Sequence, residues 1–131
     1  AKNVEIEFQK TDNEKFKILA DREKIKMVIL NLIDNAIIYS DHGGKVLVKL
    51  ETNNNEIILS VKNSGVGIPK KQQSLIFQKF FRTDNSKKGK VKDSGLGLFI
   101  AKSFVVAHNG KIWFTSNANK ETTFYVSLPG A

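Results

Sequence analysis

No cysteine occurs in the chain. That excludes disulfide frameworks and zinc–thiolate centres, and it fits a reducing compartment. Histidine is scarce: His42 and His108 lie far apart, so a histidine-rich metal site is not expected. Long apolar runs are missing as well. None approaches the roughly 18 residues of a membrane-spanning helix, and no signal-peptide pattern is present. The chain reads as soluble, with no direct membrane contact. Acidic residues are outnumbered, 13 against 21 lysines and arginines.

The resulting net charge of +8 favours an anionic partner such as a nucleotide, a nucleic acid, a phosphoprotein or an acidic surface. Lys79, Arg82, Lys87, Lys88, Lys90 and Lys92 cluster against a single Asp84. Only Phe80 and Phe81 interleave with them, too few aromatics for a single-strand stacking platform. The same run reads equally as a solvated basic loop. At 131 residues and 40% hydrophobic content, one packed domain spanning 1–131 is expected.

Residues 4–9 alternate apolar and polar and predict a strand; 16–20 predict a second. Asp21 is placed to cap a helix. From there to Tyr39, Ile25, Val28, Ile29, Leu32, Ile33, Ala36 and Ile37 recur at three- and four-residue spacing, the pattern of an amphipathic helix. Residues 45–51 and 56–62 predict a hairpin. Pro69 suits the first turn of a short helix reaching about Phe77. Residues 78–94 show no period and read as a loop. A helix follows from Leu96 to Ala107, stopped by Asn109-Gly110, and then a strand pair at 111–115 and 122–128. This order predicts an α/β (α+β) two-layer sandwich. A mixed sheet of about five strands would be covered on one face by three helices.

Three constellations carry chemistry. Asn31 and Asn35 stand one turn apart on one face of the first helix. Neutral amide oxygens there suit Mg²⁺, which takes few protein ligands beside phosphate and water; surface amides would look the same. "NSGVGIP" places Gly65 and Gly67 after a strand, where the backbone can approach a neighbour closely, although a plain turn would share the pattern. "DSGLGLFIAKSF" places Gly95 and Gly97 at a helix entrance, where free N–H groups favour phosphate. The spacing is neither G-x-G-x-x-G nor G-x-x-x-x-G-K-[ST], which disfavours Rossmann and P-loop readings.

Taken in order, these motifs resemble the catalytic and ATP-binding domain of bacterial sensor histidine kinases. That domain has the Bergerat ATP-binding fold shared with type II topoisomerases and MutL. "NLIDNAIIYS" resembles the N box, "NSGVGIP" the G1 box, "IFQKFFR" the F box, "DSGLGLFIAKSFVVAHNGKI" the G2 box and "ETTFYVSLP" the closing strand. The resemblance implies ATP and Mg²⁺ as cofactors, with Asn31 and Asn35 holding the metal and phosphate oxygens. Tyr39 would pack near the nucleotide. Asn63 would read the base, Gly65, Gly67 and Ile68 would shape its pocket, and Thr122 or Thr123 would lie behind it. Residues 78–94 would form a lid, anchored by Phe77 and Phe80, with Arg82 and Lys87 reaching phosphate. Phe77 reads equally well as a core residue. Gly95, Leu96, Gly97 and Leu98 would form the second phosphate loop. The implied partner is a dimerisation domain carrying the phosphoacceptor histidine, and indirectly a response regulator, in the cytoplasmic part of a membrane-bound kinase. Neither His42 nor His108 sits in an H-E/D-x-x-x-P setting, so the acceptor is expected outside this chain.

Three positions depart from the family pattern. Ile38 stands where a lysine is usual. Met27 stands where the hydrolytic members carry a glutamate base, which disfavours water activation. Asn63 replaces an aspartate, exchanging a charge-assisted hydrogen bond for a neutral one. That difference is roughly 1–2 kcal/mol, a weakening of ATP binding on the order of 5–30-fold. Two rival readings share the fold: a degenerate module acting through protein contacts, and an anti-sigma-type serine kinase. A nucleic-acid-binding domain would explain the charge but not the motif order.

Overall fold

The computed structural model describes residues 4–10, 21–41, 43–53, 55–65, 67–68, 70–78, 97–117 and 120–130. The elements are β1 (Glu5–Lys10), α1 (Arg22–Tyr39), β2 (Lys45–Asn53), β3 (Glu56–Ser64), a 3₁₀ turn (Lys70–Leu75), α2 (Gly97–Ala107), β4 (Lys111–Asn117) and β5 (Glu121–Pro129). The expected strand at 16–20 and most of the expected lid lie outside the described residues.

α1 starts where its cap chemistry puts it. Asp21 is extended, and its Oδ1 accepts from the N–H groups of Glu23 at 3.1 Å and Lys24 at 3.2 Å. Two donors that the helix itself leaves open are thereby satisfied. At the other end the Ser40 hydroxyl donates to the Ala36 carbonyl at 2.6 Å. α2 closes with a left-handed Asn109, φ 59°. Asn109 N–H donates to Val106 O and Gly110 N–H to Val105 O, the paired bonds of a Schellman ending.

The five strands lie in the order β1-β2-β3-β5-β4. β1 pairs parallel with β2, with α1 as the crossover between them; the remaining neighbours are antiparallel. Side chains alternate across the sheet. Val46, Val48, Val61, Phe124, Val126 and Leu128 are buried on the helix side. Val28, Leu32 and Ala36 of α1 and Ala101 and Val105 of α2 complete the core. On the outer face Trp113 stacks on Tyr125, with ring centres 5.3 Å apart.

Among the described residues two of the expected helices are α-helical, and the short one after Pro69 is a 3₁₀ turn. "KKQQSL" buries none of its side chains. Without an apolar stripe, nothing offsets the cost of nucleating an α-helix. The turn nevertheless delivers Ile76, 5% exposed, into the core. Phe77 packs edge-on against Phe114 and Phe124, with centroids 6.1 and 6.2 Å away. Its ring is therefore part of the core, and the Lys102 ammonium lies 5.3 Å from its centroid.

Candidate functional site

Four segments converge at one end of the helix–sheet interface: the C-terminal half of α1, the last residues of β3, the loop through Ile68 and the first turn of α2. The two α-helices run antiparallel. A Cβ at Gly97, which opens α2, would lie 3.9 Å from Asn31 Cγ and Oδ1. At the far end, Asp21 N–H donates to His108 Nε2 at 3.0 Å. Gly97 thus brings the first turn of α2 beside the Asn31 carboxamide, at a distance where a Cβ would make ordinary contact.

Asn63 projects from the inner face of β3, two residues beyond the fully buried Val61, and is itself only 2% exposed. Its strand neighbours in register are Val46 and Thr122. Its Nδ2 is buried with no hydrogen-bond partner, and so is Asn31 Nδ2. An unpaired buried polar group costs roughly 1–3 kcal/mol. Two of them on facing elements mark a place where the protein leaves donors for something else to satisfy.

Gly65 makes a close approach to the end of α1. Its φ is +148°, and a Cβ there would lie 2.3 Å from Tyr39 O and 2.8 Å from Asp41 N. The backbone it approaches is the end of α1, to which it is joined by a bridge to Ser40. Gly65 therefore seats β3 against α1, and in doing so fixes the spacing between Asn63 and the Asn31–Asn35 face.

A hydroxyl strap that sequence reading missed holds the next segment. Ile68 N–H donates to Ser116 Oγ at 2.8 Å, and Ser116 Oγ lies 2.8 Å from Thr122 Oγ1. Gln73 Nε2 donates to Ile68 O at 3.1 Å. Ile68, 6% exposed, is thus tied from both sides of its peptide. The only sequence signal for Ser116 was its even place in a strand alternation.

Most of the other expected residues gather here. Tyr39 is 7% exposed beside the Gly65 contact, Gly67 is buried, and Asn35 stands one turn beyond Asn31 on α1. Leu98 packs against the core. Thr122, 3% exposed, faces the helices. Thr123 does not: its register partner is Lys62, on the outward side of β3. Strand alternation decides between the two threonines. Phe80, Arg82, Lys87, Gly95 and Leu96 lie outside the described residues. Met27, one turn before Asn31, is 46% exposed.

Among the described residues no group of three His, Cys, Asp or Glu side chains could hold a metal. The described donors suited to a cation here are neutral amide oxygens, a set that matches a cation such as Mg²⁺ completed by phosphate and water. Asn31 and Asn35 fit that donor set.

Comparison with known proteins gives the same outline. Residues 20–131 match the family model described as histidine kinase-, DNA gyrase B-, and HSP90-like ATPase. The sensor histidine kinase WalK of Bacillus subtilis is 44% identical over 111 residues, 83% of this chain and 18% of that protein. The catalytic domain of the histidine kinase ThkA superposes with TM-score 0.80 at 35% identity, over 96% of this chain and 80% of that one. Full-length ShkA in complex with AMPPNP gives TM-score 0.83 at 25% identity, over 98% of this chain and 26% of that one. The chain spans about a fifth of the length of the curated relatives it matches.

Proposed function

The chain belongs to the histidine kinase-, DNA gyrase B-, and HSP90-like ATPase family, as the ATP-binding catalytic domain of a sensor histidine kinase, and from that premise we propose how its residues handle Mg·ATP. The base lies against Asn63 and Ile68, with Thr122 behind them. The phosphates run toward the start of α2, where Gly97 lies beside the Asn31 carboxamide. Asn31 and Asn35 would hold Mg²⁺, which when bound neutralises charge on the phosphates. The γ-phosphate passes to a histidine on a separate dimerisation domain, and from there to a response regulator. The domain works in the cytoplasmic part of a membrane-anchored kinase; among the described residues no helix is long and apolar enough to cross a membrane.

This chemistry asks the domain for position more than for a reactive group. Phosphoryl transfer proceeds by alignment and charge neutralisation. With Met27 in place of an acid, the turn before Asn31 offers no base to activate water. ATP is therefore kept for the partner histidine rather than hydrolysed. Arg82 and Lys87 are the cations assigned to the phosphates.

The pair of buried, unpartnered carboxamides at Asn31 and Asn63 carries this reading. Calorimetric titration with ATP, with and without Mg²⁺, tests it. Binding in the micromolar to low-millimolar range is expected, tighter with Mg²⁺ and lost in Asn31→Ala. Absence of binding in both conditions would reject the reading.

A further inference from the structure

Asn63 is a base-facing residue of the proposed site whose hydrogen-bonding character is not settled by the fold. The amide is 2% exposed, and its Nδ2 meets no acceptor. Among the described residues no acceptor bonded to Nδ2 fixes which way the carboxamide faces. A carboxamide carries an acceptor, Oδ1, beside a donor, Nδ2, and a half-turn of its terminal torsion exchanges them.

The Watson–Crick edges of the two purine classes differ by the same exchange. Adenine presents an N6 donor beside an N1 acceptor. A 6-oxopurine, hypoxanthine or guanine, presents an O6 acceptor beside an N1–H donor. Asn63 is complementary to adenine in one orientation and to a 6-oxopurine in the other. In the second orientation Nδ2 donates to O6 and Oδ1 accepts from N1–H. A carboxylate has acceptors only and would oppose O6.

We propose that Asn63 makes the base pocket accept 6-oxopurine nucleotides alongside adenine nucleotides. The inference rests on the placement of the base against Asn63 proposed above. Each purine supplies the buried amide with the acceptor it lacks. Sites discriminate strongly only when the wrong ligand leaves a buried polar group unpaired, and here neither purine need do so.

The test is calorimetric titration of this chain and of Asn63→Asp with ATP and with ITP, both with Mg²⁺. ITP is expected to bind this chain within about tenfold of ATP. In Asn63→Asp the preference for ATP should widen to about 100-fold or more. If ATP binds this chain and ITP binds more than tenfold weaker, the proposal is overturned while the nucleotide site stands. An ATP:ITP ratio unchanged by Asn63→Asp overturns it equally. If neither nucleotide binds either protein, the site reading falls and takes the proposal with it. Should Asn63→Asp fail to fold, the side-chain amide signals of Asn63 in ¹⁵N-labelled unsubstituted chain decide the matter. Displacement by both nucleotides supports the proposal, and displacement by ATP alone overturns it.

Discussion

The two ends of the interface between α1 and the sheet make a natural comparison. Near the start of α1, Ile25, Val28 and Ile29 meet Leu59, Val126 and Leu128 around a cavity of about 160 Å³ with an almost wholly apolar lining. Near its end the helix carries Asn31 and Asn35, while β3 and β5 oppose it with Asn63 and Thr122. The same helix and the same strands build both ends. The apolar end can be stabilised by dispersion and burial alone. The polar end buries amide donors and leaves two of them unpaired. Groups that weaken the fold are expected where a ligand can satisfy them, and that cost is the ground for proposing the site at this end.

Breaking the apolar end should give the largest effect on stability and little on binding. Leu128, 7% exposed, already borders the cavity, and Leu128→Ala enlarges it. A loss of about 2–5 kcal/mol is expected in denaturant unfolding, with ATP affinity unchanged in the folded fraction. A parallel loss of affinity would show that the two ends are not separable.

Next comes the join between them. Gly65→Ala forces a Cβ against the Tyr39 carbonyl and keeps a positive φ. About 1–3 kcal/mol of destabilisation is expected, and here ATP binding should weaken too, because the spacing from Asn63 to α1 changes. A variant that unfolds more easily but binds normally would deny that role to Gly65.

The polar end should respond in the opposite sense. Asn63→Leu replaces the orphaned amide with an apolar side chain of the same heavy-atom count and branching. Without nucleotide, Tm is expected to hold or to rise by the equivalent of up to about 1 kcal/mol, while nucleotide binding is lost. A clear fall in Tm would mean that the amide is structural.

The smallest effect belongs to the exposed edge, away from both ends. Lys45 donates to Glu7, linking β2 to β1. The hydrogen bond from Lys45, then that from Gln9, holds the Glu7 carboxyl below the usual carboxylate range. The bond to Glu7 raises Lys45 above the usual lysine range. The Glu7 contribution is present above the normal glutamate range and lost as pH falls through the depressed value. The Lys45 contribution is present below the normal lysine range and lost as pH rises through the raised one. Glu7→Gln should therefore lower Tm slightly at neutral pH. The difference should vanish in acid and shrink in about 1 M salt. A difference that persists in acid would point to packing rather than charge.

Sequence reading reached far into this comparison, for identifiable reasons. α1 was legible because Val28, Leu32 and Ala36 repeat at the helical period and Asp21 caps them. The 45–62 hairpin was legible because strand alternation and a polar turn are local signals. The insertion of β5 between β3 and β4 was not, since pairing between distant segments leaves no local trace. Asn31 and Asn63 stood out by their motifs, but their lack of partners is a property of packing. Gly65 was read from the family resemblance as shaping a pocket, and its approach to the end of α1 could not be read from sequence; a glycine shows that something is close without showing what. Ser116 and the His108–Asp21 bond went unread because each depends on a residue far away in the chain or on the other side of a turn.

That last bond has mechanical content. The His108 Nε2 accepts from Asp21 N–H, so the ring proton sits on Nδ1, within 2.7 Å of the Phe104 carbonyl. α2 is thus pinned to the N-cap of α1 at one end and lies beside Asn31 at the other. At 1.5 Å per residue, Gly97 lies about 16 Å along the helix from this pin. A tilt of about 4° at the histidine swings Gly97 through about 1 Å, enough to separate groups in hydrogen-bond contact from groups out of reach. α2 is in this sense a lever whose fulcrum is one imidazole, set at the end of the helix opposite Gly97.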